Sequence, residues 1–148
     1  MAHHNIYEVS FDPIPIGDRF DDCALQVEHG WFIGQIAEAT RDQEGNDRSN
    51  AIQALMYAPR GYCVRADEHG EYIIVTSKEE FFRPMWERFC KEMESTVSLQ
   101  KYMNYRKDYD KYGTYIYADG ELMCFAEFIS GCAVNEKYYL GGIVSYKC

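Results

Sequence analysis

The sequence predicts a single α+β domain over residues 1–148, with two or three helices packed on a mainly antiparallel sheet built from hairpins. Three observations lead there. Strand-like segments stand at both ends of the chain, short apolar runs are separated by His-Gly and Asp-Gly turn signals, and the middle carries a long helical periodicity.

At the start, residues 5–11 place Ile6, Val9 and Phe11 in rough alternation and then meet Pro13 and Pro15, as a strand that ends does. Residues 24–28 and 31–37 flank His29-Gly30, the pattern of a hairpin. The polar run 40–47 reads as a loop. Asp47 or Ser49 then caps a short helix through Met56, with Ile52, Leu55 and Met56 turned inward and Pro59-Arg60-Gly61 stopping it. Residues 62–65 and 71–76 form a second hairpin around Glu68-His69-Gly70.

The strongest helical signal follows. Ser77-Lys78-Glu79-Glu80 has the capping-box spacing, because the serine oxygen satisfies the amide three residues on. Phe81, Phe82, Met85, Trp86, Phe89, Cys90, Met93 and Val97 then recur on one helical face, and the large side chains from Phe81 to Met93 are expected to be buried against the sheet. Pro84 conflicts with this, so a kink or a helix starting at Pro84 is expected. A second helix is expected over 98–112, ended by Gly113. Residues 114–118, the Asp119-Gly120 turn and 121–129 make a third hairpin. Residues 137–146 are a last strand, bulged at Gly141-Gly142.

The second expected helix carries an aromatic stripe. Tyr102, Tyr105, Tyr109 and Tyr112 fall within an arc of about 80° along about 15 Å of helix. Such a face serves either as packing against the sheet or as a recognition surface, since tyrosine offers a large rigid ring with a polar tip. Packing is expected for Tyr105 and Tyr109, and partial exposure with a role in partner binding for Tyr102 and Tyr112.

Charge is as informative as pattern. The net charge is −9, and residues 1–47 hold ten acids against Arg19 and Arg41, a net of −8. The other 101 residues balance fourteen acids with thirteen bases. Such a field repels nucleic acid and attracts basic surfaces. Asp18, Asp21, Asp22, Asp42, Glu44 and Asp47 are therefore the candidate partner-binding residues, with a basic protein surface as partner and no direct contact to nucleic acid or membrane. Asp42, Glu44 and Asp47 do not make a calcium loop, because position twelve of that frame is Gln53 and not glutamate.

Catalytic and cofactor signatures are missing. There is no Gly-rich phosphate loop, no Gly-x-Ser-x-Gly elbow and no His-Glu-x-x-His, and the six cysteines form no Cys-x-x-Cys pair. No basic-then-apolar leader opens the chain, so reduced thiols in a cytoplasm are expected. The reading that follows is a small acidic intracellular binding protein, not an enzyme, with no cofactor or metal. Its composition is that of inhibitors carried by phages or plasmids against nucleic-acid-handling defence enzymes, an analogy of composition alone. Two alternatives stand beside it. One is a small-molecule or nucleotide binder whose pocket is lined by tyrosines and Trp31 or Trp86, with Arg60 and Arg65 as anion contacts. The other is a small enzyme using a carboxylate and a tyrosine.

Overall fold

A computed structural model describes residues 3–20, 36–39, 46–57, 59–95, 99 and 114–147. Its centre is one long strand, because residues 137–147 have partners along both sides. This strand, β7 (Lys137–Lys147), lies antiparallel to β1 (His3–Ser10) on one side. On the other side its first half pairs with β4 (Gly70–Val75), and its second half pairs with β2 (Ile36–Ala39). β3 (Tyr62–Asp67) extends the sheet beyond β4, while β5 (Tyr115–Ala118) and β6 (Glu121–Cys124) extend it beyond β1. Every pairing among the described strands is antiparallel except that of β1 with β5.

The turns follow their residues. In the β3–β4 hairpin, the Asp67 carboxylate accepts the His69 N–H at 2.8 Å, which stabilises the two-residue reversal. In the β5–β6 hairpin, Asp119 and Gly120 both have positive φ, as the turn that matches strand twist requires.

Three helices are described: α1 (Asn46–Leu55), α2 (Lys78–Ser95) and α3 (Phe125–Gly131). α1 starts one residue before Asp47, so Asp47 and Ser49 lie inside the helix instead of capping it. Ala51, Ile52 and Leu55 face the core, but Met56 is exposed. α2 begins at Lys78, where the Ser77 hydroxyl accepts the Glu80 N–H at 3.2 Å. The helix runs on through Pro84, correcting the expectation that it would start there. The carbonyl that loses its partner belongs to Glu80, an exposed residue, where water can serve it.

α3 is a second correction. Residues 125–129 continue the third hairpin in sequence, yet the chain leaves the sheet after Cys124 and coils. Ala126, Phe128 and Ile129 are buried at helical spacing. A short apolar run fits either structure, and length alone does not decide it.

Alternation along the strands gives the sheet two packed faces. Tyr7, Val9, Ile73, Val75, Ile116, Leu140 and Ile143 form the larger core with α1, α3 and Phe81 of α2. On the reverse face Ile6, Tyr115 and Val144 are covered by Phe20, whose ring stacks on Tyr117 at 4.9 Å.

Trp86 is the third correction. It is 64% exposed and lies against Phe89, whereas Phe81 is 9% exposed and meets Tyr62 and Phe125. Phe82 and Met85 are half-buried beside it. α2 meets the larger core through Phe81, Phe82 and Met85, and farther along Phe89, Cys90 and Met93 are half-buried. No described helix is long and apolar enough to cross a membrane. The first expected hairpin and the expected helix over 98–112 lie outside the described residues, except Ile36 and Ala37 at the start of β2 and Leu99, which is exposed.

Candidate functional site

The described parts of the acidic third meet one stretch of β7, which carries a backbone irregularity. Tyr7 pairs with Ile143 and Val9 with Leu140, so one step on β1 spans an extra residue on β7. This is the bulge at Gly141-Gly142 that the sequence predicts. Both glycines sit in close approach, Gly142 to backbone and Gly141 to side-chain ends. A Cβ on Gly142 would lie 2.5 Å from the Phe20 carbonyl oxygen, and one on Gly141 would strike Ile14 and the Glu8 carboxylate.

Glu8 sits opposite the bulge, and one of its carboxylate oxygens accepts two backbone N–H groups, from Gly142 at 3.0 Å and from Phe20 at 3.1 Å. Arg48 approaches the same bulge from α1. It is 4% exposed and donates to the Gly141 carbonyl at 2.6 Å and the Leu140 carbonyl at 3.4 Å. Glu71 lies 3.5 Å from its guanidinium. These carbonyls belong to the part of β7 between its pairing with β4 and with β2, and there the arginine supplies a donor.

The consequence is spatial. Residues 18–20 are tied to Gly142 through Glu8, β2 with Glu38 pairs with residues 144–146, and residues 47–48 are tied to Gly141 through Arg48. Asp18 and Asp47 are both exposed beside these anchors. Asp21, Asp22, Asp42 and Glu44 lie outside the described residues, as do Tyr102, Tyr105, Tyr109 and Tyr112. Reading the sequence missed both anchors. Arg48 carries no pattern that marks it as an anchor, and Glu8 counts there only toward the charge of the first 47 residues. The only clue was the paired glycine, which signals a close neighbour without naming it.

A second polar group stands at the tip of the β3–β4 hairpin. The Asp67 carboxylate accepts from Lys137 Nζ at 3.0 Å and from the Tyr139 hydroxyl at 2.8 Å, and the Lys137 ammonium lies 4.8 Å from the Tyr72 ring centre. Lys137 chiefly, helped by Tyr139 and the His69 N–H, lowers the Asp67 pKa to about 2. The same bonds to Asp67 raise the pKa of Lys137 and of Tyr139. Each member is thus held in the protonation state it already has at neutral pH, which suits a hairpin latch better than proton transfer. Arg65 pairs in register with Tyr72 on β4, and both Arg60 and Arg65 are exposed.

Beneath the sheet, burial pushes the Tyr7 hydroxyl up to about 12, and this hydroxyl donates to the Ala51 carbonyl at 2.6 Å. Cys63, Cys90, Cys124 and Cys132 are thiols and not disulfides. Among the described residues no cluster of His, Cys, Asp and Glu has the makings of a metal site. No protein-family model matches the chain, and no curated protein or solved structure matches it either.

Proposed function

We propose that the chain is a small acidic binding protein that works by occupying the surface of a basic protein partner, with no catalytic step of its own. The observation that carries this reading is the gathering of the described parts of the acidic third around residues 140–146 of β7. A net charge of −8 that is merely early in sequence would be a matter of composition. With Asp18 and Asp47 exposed beside the two anchors of one bulge, the described part of that charge supports a local acidic field that steers a basic surface into contact and repels nucleic acid. The narrower form is an inhibitor encoded by a phage or plasmid, acting in the cytoplasm on a nucleic-acid-handling defence enzyme whose groove is basic.

The test uses the captured partner as a purified protein. Its association with wild type is compared with that of a variant carrying Asn or Gln at Asp18, Asp21, Asp22, Asp42, Glu44 and Asp47. Neutralisation should slow association and flatten its salt dependence, because exposed charges act mainly on the encounter rate. Identical rates and identical salt slopes would reduce the acidic third to a solubilising face.

A further inference from the structure

We infer that residues 11–18 form a preorganised docking segment, in which Phe11 and Ile16 enter an apolar pocket on the partner while Asp12 and Asp18 meet lysines or arginines around its rim. The inference rests on the acidic-binder reading and names the part of the surface that makes first contact.

Five of the six residues from Phe11 to Ile16 are apolar, yet only Ile14 is turned inward. Phe11 is 59% exposed and Ile16 is 48% exposed. Exposed apolar side chains scattered over a surface are ordinary, but Phe11 and Ile16 stand five residues apart on one firmly held segment. The holding is specific. Phe11 rests one side of its ring on Tyr138 at 4.7 Å, and Ile14 lies over Gly141. Asp18 and Arg19 close a 3-10 turn by donating to the Pro15 and Ile16 carbonyls, and the Phe20 N–H is fixed by Glu8.

Pro13 and Pro15 restrict the backbone between these anchors. A segment ordered before contact loses less conformational freedom on binding, so its exposed side chains contribute more of their burial to affinity. Asp12, between Phe11 and Ile16, and Asp18, two residues after Ile16, are both exposed. Charge complementarity therefore selects a protein pocket with a basic border over an acidic surface.

The experiment places a photo-crosslinking phenylalanine at position 11 or 16 of the full chain, in the cells that express it natively. Exposed Tyr57 and Val134 are the control positions. Positions 11 and 16 should give an adduct with one protein that the controls do not give. With that protein purified, Ile16→Ala should weaken affinity about 30-fold through faster dissociation, leaving the salt slope unchanged. Asp12→Asn with Asp18→Asn should slow association and flatten the slope. Ile16 is exposed, so an unchanged melting temperature verifies the fold of that variant.

No adduct at 11 or 16, equal adducts at the controls, capture of a second copy of this chain, or wild-type affinity in Ile16→Ala would each overturn the proposed segment. If affinity is unchanged in Ile16→Ala while the six-residue neutralised variant still loses its salt dependence, the acidic-binder reading stands without this segment. Salt-independent association of the wild type would overturn both.

Discussion

Replacing Arg48 by methionine tests whether the bulge in β7 is held by a buried cation. Methionine keeps most of the side-chain volume and removes the guanidinium. The bond to the Gly141 carbonyl, at 2.6 Å, is charge-assisted and buried, and such bonds contribute about 1.5–3 kcal/mol. The contact with Leu140 is longer, at 3.4 Å, and adds little. Glu71 is over one-third exposed, so its attraction is screened and adds less than about 1 kcal/mol. Removing the cation also leaves a buried carbonyl without a donor. The expected loss is about 3 kcal/mol, which for a chain of this size is a fall in melting temperature of about 6–12 °C. Urea titration followed by circular dichroism, with the slope checked for constancy, measures it. Glu71→Gln is the companion variant and should cost less than about 1 kcal/mol. An Arg48→Met protein within about 0.5 kcal/mol of wild type would show that the carbonyls of β7 do not depend on this arginine.

Three further outcomes are expected. Phe81→Ala should cost about 3–5 kcal/mol as a core truncation, while Trp86→Ala should cost less than about 1 kcal/mol because its ring is mostly in solvent; equal losses in thermal melts would contradict the packing of α2. Gly142→Ala should destabilise by about 1–3 kcal/mol, since its Cβ meets the Phe20 backbone, and a neutral result would refute the close approach. Tyr7 has a folded pKa of about 12 against an ordinary 10, so its burial contributes fully below pH 10 and that contribution is lost as pH rises through about 12. The loss is about 3 kcal/mol, and Tyr7→Phe should flatten the fall of stability between pH 10 and 12; an unchanged alkaline profile would assign that fall to other groups.

The sequence by itself determined what depends on neighbours along the chain. Turn chemistry placed the hairpins at Glu68-His69 and Asp119-Gly120, the serine three residues before Glu80 placed the start of α2, and the paired glycine placed the bulge. Each is decided within a few residues by allowed φ, a missing Cβ or a local hydrogen bond. The concentration of charge in the first 47 residues is likewise a property of the chain.

Tertiary structure decided what depends on reach and on partners distant in sequence. The periodicity that includes Phe81 also includes Trp86, which is exposed although Met85 beside it and Phe89 and Met93 beyond it are half-buried, because neighbours distant in sequence decide which side of a helix is covered. Residues 125–131 coil because Phe128 and Ile129 find the core from a helix, a choice their spacing leaves open. Arg48 became a buried anchor only because β7 presents carbonyls where β4 stops and β2 has not begun. That gap lies more than ninety positions from Arg48 in sequence, and it ties α1 to the same strand that Glu8 and the pairing of β2 hold.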